Sequence, residues 1–192
     1  MNDEAIVLPR AAAIILAGGK SGRMGCDKAL LPFRGQPALQ WLVGRLRPHF
    51  SEVLIGANDP DKYAFLEVPV IADKVPGQGP LMGIASALEA SPREVNFVIA
   101  CDSLDVHIPF IQEMLCRAAE WDCVVPVHAN GFLEPLYAVY RQNMLDALWE
   151  TLRAGERRVR AVYSRCRTFY VPLPDEMSLE NANTPDDFAT LA

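Results

Sequence analysis

The feature that most constrains this chain is an alternation of apolar runs of strand length with amphipathic segments of helix length. AAAIILA (11–17), VLIGAN (53–58), VPVIAD (68–73) and NFVIACD (96–102) read as strands. PALQWLVGRLRPHF (37–50), GPLMGIASALEAS (79–91), PFIQEMLCRAAEW (109–121) and NMLDALWETLRAGE (143–156) read as helices. In the first of these, Leu39, Leu42, Val43 and Leu46 recur at helical spacing. Pro80 and Pro109 suit a first helical turn, and Gly155 a stop. CVVPVHA (123–129) and PLYAVYR (135–141) are strand-like, and CRTFYVPL (166–173) is a late strand. TPDDFATLA (184–192) reads as a last helix, with Thr184 as cap, Pro185 at the first position and Asp187 as reciprocal cap. Strands that are apolar throughout are buried on both faces. The pattern therefore predicts an α/β fold with a mostly parallel sheet covered by helices on both sides. Such sheets bind ligands beyond the carboxyl ends of their strands. Gly18, Asp73 and Asp102 each follow an apolar run, so they are expected on one edge.

With 192 residues, 51% of them hydrophobic, the chain is long enough for one domain with a sizeable core. A net charge of −6 argues against nucleic acid as a partner, which would need a broad basic face. No stretch approaches the length of a membrane span, and MNDEAIVLPR, with acids ahead of a short apolar run, does not resemble a secretory signal. The five cysteines, 26, 101, 116, 123 and 166, form no C-x-x-C pair, and His49, His107 and His128 belong to no metal-type cluster. Reduced, mostly buried thiols in a cytoplasmic protein are the expectation.

The loop after the first strand is the chemically loaded segment. Gly18, Gly19, Gly22 and Gly25 share eleven residues with Lys20, Arg23 and Lys28. It is not a P-loop, because the glycine required five residues before Gly19-Lys20 is Ile14. It is not a G-x-G-x-x-G dinucleotide loop either, because Lys20 stands where the first glycine belongs. A plain tight turn would account for two glycines. Four glycines and three cations directly after a buried strand make an anion cradle of bare N–H groups and positive charge, with phosphate as its natural occupant.

LAGGKSGRMGCDKALLPFRGQP (16–37) resembles the signature of the nucleotidyltransferases of molybdenum cofactor biosynthesis, L-A-G-G-x-S-x-R-M-G-x-D-K-x-L-L. Ile71-Ala72-Asp73 with PGQGPLMGI (76–84), Ala100-Cys101-Asp102, AGERRV (154–159) and NANTPDDF (181–188) resemble further segments of that family in order. The resemblance implies a three-layer Rossmann-like nucleotidyltransferase fold over residues 1–192, with a nucleotide half at 11–105 and an acceptor half at 106–192. It also implies transfer of GMP from GTP to the terminal phosphate of molybdopterin, with release of pyrophosphate. The acceptor phosphate is already anionic, so positioning and electrostatics carry the work and no general base is required.

On the same resemblance, Leu16, Ala17, Gly18 and Gly19 offer backbone groups to the nucleotide, Lys28 holds the α- or β-phosphate, and Arg23 neutralises the triphosphate. Asp73 recognises the nucleotide, while Gly79 lets backbone approach it or close-packs a helix. Asn181 and Asn183 line the acceptor side. Asp102 is a hard oxygen ligand for Mg²⁺ at a strand end, where the alternative is a cap or turn aspartate. Asp27 orients Lys28 or caps a turn, and Arg157 and Arg158 are weaker candidates for the acceptor phosphate. GTP and molybdopterin are the implied partners, with transient contact to other cofactor-synthesis proteins or molybdoenzymes. Three departures bear on the acceptor. Ser103-Leu104-Asp105 follows Cys101-Asp102 where the family has T-P and an apolar residue, so Asp105 is either a second metal ligand or a repulsive charge. Glu134-Pro135 stands where His-Pro is usual, and Gly56 stands where asparagine is frequent, with Asn58 two residues on. A cytidylyltransferase on the same pterin, a transferase on another phosphorylated acceptor, and a non-catalytic cofactor carrier are the other readings.

Overall fold

A computed structural model describes residues 8–18 and 27–174, together with 177, 179, 182 and 187. Gly19, Arg23, Asn181 and Asn183 lie outside the described residues, as does the expected helix over 184–192 apart from Asp187.

The strands are β1 (Leu8–Leu16), β2 (Pro32–Phe33), β3 (Gln36–Pro37), β4 (Phe50–Gly56), β5 (Val70–Ile71), β6 (Val95–Ala100), β7 (Cys123–Val127), β8 (Tyr137–Arg141) and β9 (Thr168–Pro172). The α-helices are α1 (Ala38–Leu46), α2 (Pro80–Ala90), α3 (Ile108–Arg117) and α4 (Leu145–Arg153). Seven strands form one sheet in the order β5-β4-β1-β6-β8-β7-β9. Only β8 runs against its neighbours, β6 and β7; the remaining pairings are parallel. β2 and β3 make a small antiparallel hairpin, which the sequence pattern did not show.

The period-2 geometry of β1 explains its uninterrupted apolar run. Ala11, Ala13 and Ile15 enter one core, with α1 and α3 packed over it, while Ala12, Ile14 and Leu16 enter a second core under α2 and α4. Both faces are thus dry, and helices cover both sides as expected for a mostly parallel sheet.

Local chemistry sets where the elements stop. α1 ends at Leu46 with Arg47, still in helical conformation, as its C-cap, and Pro48, which has no N–H to donate, cannot continue the hydrogen-bond ladder. α4 ends before Gly155, whose φ of +84° turns the chain out of the helix. The strand expected over 68–73 shrinks to Val70–Ile71. Pro69 contributes only its carbonyl, to Ile55 N at 2.9 Å, and the Asp73 amide turns to the Asn58 side chain at 2.8 Å rather than to a strand. The described cysteines are free; Cys116 is exposed, contrary to the expectation of mostly buried thiols, and the Sγ atoms of Cys123 and Cys166 lie 3.9 Å apart. Among the described residues no helix is long and apolar enough to cross a membrane.

Asp122 ties three elements together at the far edge of the sheet. Its carboxylate accepts from the Arg167 amide at 2.9 Å, the Arg167 guanidinium at 3.1 Å and the Asn143 amide at 2.8 Å. Burial pushes its carboxyl up, but the hydrogen bonds from Arg167 and Asn143 outweigh that and hold it below the usual carboxylate range. A depressed folded value means that its stabilisation is present above the ordinary carboxylate pKa and is lost as pH falls through the folded one. Asp122→Ala is expected to destabilise the fold by about 1–3 kcal/mol at neutral pH. In urea titrations the gap between variant and parent should narrow as pH falls below the ordinary carboxylate range; a gap that does not change with pH would contradict the assignment.

Candidate active site

β1, β4 and β6 end side by side, with Leu16 registered against both Gly56 and Ala100. Beyond these carboxyl ends lies a cavity of about 840 Å³. Its wall brings together the described residues expected to hold the nucleotide or the metal: Leu16, Ala17, Gly18, Lys28, Asp73, Gly79 and Asp102.

The chain leaves β1 under tight control, since Ala17 N donates to Gly56 O at 2.9 Å and Cys101 N to Leu16 O at 3.1 Å. Gly18 therefore stands on the rim with its backbone open to the cavity. A short 3-10 turn over Lys28–Leu30 carries Lys28, and its ammonium donates to Asp102 Oδ2 at 3.0 Å. Asp102 sits just past β6, and its carboxylate is 21% exposed at the cavity wall. Asp73 faces them from the β4–β5 side. Asn58 grips it twice, donating from Nδ2 to Asp73 Oδ2 at 3.0 Å while its own Oδ1 accepts the Asp73 amide. α2 aims its N-terminus at the same space. Gly77 and Gly79, at φ of +77° and +80°, make the turn into Pro80, and no acidic side chain occupies the helix's first turn. The dipole of that terminus favours an anion. Further along α2, a Cβ at Gly83 would lie 3.4 Å from Asp73 Oδ1 and 3.5 Å from Leu16, so this glycine serves close packing of helix against wall.

The MobA-like NTP transferase domain model matches residues 13–169. The chain belongs to the MobA-like NTP transferase family. It is 38% identical over 187 residues to a Carboxydothermus hydrogenoformans protein named "Probable molybdenum cofactor guanylyltransferase", covering 92% of each chain. It is 34% identical to the molybdenum cofactor guanylyltransferase of Burkholderia cenocepacia, with 96% of each covered. Among solved structures, the molybdopterin-guanine dinucleotide biosynthesis protein A of Archaeoglobus fulgidus superposes with a TM-score of 0.79 at 25% identity, covering 94% of this chain and 96% of that one.

The described part of the wall carries more carboxylates than cations. Among the described residues, Asp27, Asp59, Asp73 and Asp102 line the cavity against Lys28 and Lys62. No described group of three or more His, Cys, Asp and Glu side chains is arranged to hold a metal by itself. That donor set fits Mg²⁺, which is commonly held by one or two carboxylates and completed by waters and substrate phosphates. Asp102 is the carboxylate just past the end of β6 on this wall.

Other members of the wall are excluded from direct chemistry. Burial drives the Cys101 thiol up to about 12, the charges of Asp102 and Asp27 add to this, and Lys28 opposes it. The thiol stays protonated and is no nucleophile. No histidine is among the lining residues, so no imidazole base faces the cavity. Asp105 is not among the residues that line it; its half-exposed carboxylate lies 2.8 Å from His107 Nε2. Arg158 is paired with Glu156 at 2.6 Å, and Arg157 is spent on Gln78 and on the Leu152 and Glu156 carbonyls. Arg157 therefore braces the 77–80 turn against the start of the 159–165 segment. Ala182 reaches the site's edge: fully buried, it donates its amide to Asp102 O at 2.9 Å.

Sequence reasoning missed Tyr63 and Lys62, which enter the wall on a 3-10 turn over Asp61–Leu66, and it missed the grip of Asn58 on Asp73. Asn58 left one trace in the sequence, as an asparagine two residues beyond the position where the resemblance led one to expect it.

Proposed function

We propose that this protein is a molybdenum cofactor guanylyltransferase: it transfers GMP from GTP to the phosphate of molybdopterin, forming a guanine dinucleotide and pyrophosphate. The observation that carries the reading is convergence. The glycine-loop strand end, the D-K turn, Asp73, the glycine turn before α2 and Asp102 are remote in sequence, and all meet on the wall of a single cavity. The names borne by the relatives give the acceptor and the base.

In this reading an oxygen of the acceptor phosphate attacks the α-phosphorus of GTP, and the bond to the β-phosphate bridging oxygen breaks. Backbone groups of Leu16, Ala17, Gly18 and Gly19 hold the nucleotide, Gly79 gives it room, and Asp73, fixed by Asn58, reads its sugar or base. Lys28 exchanges its bond to Asp102 for a phosphate oxygen, and Arg23 faces the triphosphate. Asp102, freed of Lys28, is the ligand for Mg²⁺, which when bound neutralises charge on the triphosphate and the departing pyrophosphate. Asn181 and Asn183, on either side of the anchored Ala182, face the acceptor. The nucleotide is bound by the half over 11–105 and the acceptor by the half over 106–192. The setting is cytoplasmic, with transient contact to the proteins that supply or receive the cofactor.

Pyrophosphate release tests this directly. Purified protein with Mg²⁺ and molybdenum-loaded molybdopterin is given each of the four ribonucleoside triphosphates in turn. Release with GTP alone is expected. Release with CTP alone would make the protein a cytidylyltransferase, and GTP binding without release would favour another acceptor or a carrier.

A further inference from the structure

We propose that Tyr63 is a positioning residue for Lys28, acting through Asp27. The inference rests on the phosphate-binding role given to Lys28 above. Lys28 sits on a single short turn, and a turn of three residues has little intrinsic persistence. What fixes it is its cap: Asp27 Oδ1 accepts the Ala29 amide at 3.0 Å. The other oxygen, Oδ2, accepts the Tyr63 hydroxyl at 2.6 Å and also meets the Lys62 ammonium.

Tyr63 and Lys62 hold the carboxylate in different ways. Tyr63 is 2% exposed and belongs to the core under α1 and α3, so its ring is locked by packing and its hydroxyl occupies one place. The Lys62 side chain is 35% exposed and hangs on a flexible stem. Core packing accounts for the ring of Tyr63 but not for a hydroxyl delivered to the cap of another element 36 residues away. The result is a chain of contacts across the cavity mouth, from the Asp61–Leu66 turn through Asp27 to the Lys28 turn and on to Asp102. The ionisation states agree with these roles. Burial raises the Asp27 carboxyl, but the bonds from Lys62, Tyr63 and Ala29 outweigh it and keep it charged, while burial and the Asp27 charge push the Tyr63 phenol up so that it remains a donor.

Tyr63→Phe removes the hydroxyl and keeps the ring. It is compared with Lys28→Met and with the double variant, reading both turnover and GTP affinity by calorimetry with Mg²⁺, since affinity stays measurable when turnover is lost. Tyr63→Phe is expected to lower kcat/KM about tenfold, a misplacement effect rather than a lost contact with substrate. It should weaken GTP affinity about fivefold on the parent and less than twofold when added to Lys28→Met, with the melting temperature of Tyr63→Phe close to the parent's. A loss in Lys28→Met together with either no effect of Tyr63→Phe or an equal effect in both backgrounds overturns the positioning role alone. Full activity and affinity in Lys28→Met overturns the role of Lys28 itself, and the inference with it.

Discussion

Asp102→Ala is expected to cut turnover by about 10²–10³-fold, the cost of removing one preorganised charge from a transition state that is stabilised electrostatically. The fold should hardly register the change. The side chain is at the cavity wall, and its one described side-chain bond is to Lys28, whose ammonium is 23% exposed and can hydrate in its absence. The structural bonds at this residue are made by its backbone: the carbonyl accepts Ala182 N, and neither it nor the strand register of β6 depends on the carboxylate. Asp102→Asn separates two explanations. The amide oxygen keeps the size and the bond from Lys28 but loses the negative charge. If Asp102 acts as the Mg²⁺ ligand, the asparagine variant falls nearly as far as the alanine variant and is partly restored by raised Mg²⁺. Near-parental turnover in Asp102→Asn would show that the residue only holds Lys28 in place.

Phe97→Ala should be the most destabilising of the changes considered, by about 3–5 kcal/mol. Phe97 is fully buried at the centre of β6, stacked on Phe50 with ring centroids 6.0 Å apart and meeting Tyr137 edge-on at 5.0 Å. It joins three strands, β4, β6 and β8, on one face of the sheet, so the cavity left behind is lined by rings that cannot collapse inward without moving backbone. Against a total stability of about 5–15 kcal/mol for a typical domain, that loss is a large fraction. Equilibrium unfolding in urea measures it, with Phe97→Leu as the milder control. A change below about 1 kcal/mol for the alanine variant would mean that the site relaxes in a way the packing does not show.

What could be read from the sequence follows physical locality. The continuous apolar runs of β1 and β6 and the helical spacing of α1 are short-range signals, and the positions just after such runs, Gly18, Asp73 and Asp102, fall on one edge by the geometry of parallel sheets. Strand direction is not a local property. Nothing in PLYAVYR distinguishes a strand that runs with its neighbours from one that runs against them, and the reversal of β8 emerges only from its pairing with β6 and β7. The grip of Asn58 on Asp73 and the reach of Tyr63 to Asp27 were hidden for the same reason: they link residues 15 and 36 positions apart. Asp105 illustrates the opposite hazard. Its proximity in sequence to Asp102 invited a role in the site, yet its carboxylate is off the cavity wall and lies beside His107, two residues further on. The glycine-rich segment at 19–26 was the strongest signal in the sequence and lies outside the described residues.

The reversed strand gives this half of the sheet a modular character. Because β8 runs back from the edge at which β7 arrives, residues 128–136 leave and re-enter the sheet beside the cavity without a helix having to return them. The loop is braced from within: His128 N binds Phe132 O at 2.8 Å, Phe132 N binds Asn130 Oδ1 at 2.9 Å, and His128 Nε2 meets Glu134 Oε1 at 2.7 Å. Phe132 stands at its tip, 72% exposed. Such a fitting can be lengthened, shortened or exchanged while the Phe97–Val139 register beneath it stays put. The ends of β1, β4 and β6 and the cavity beyond them are thus insulated from changes confined to one detachable turn of chain.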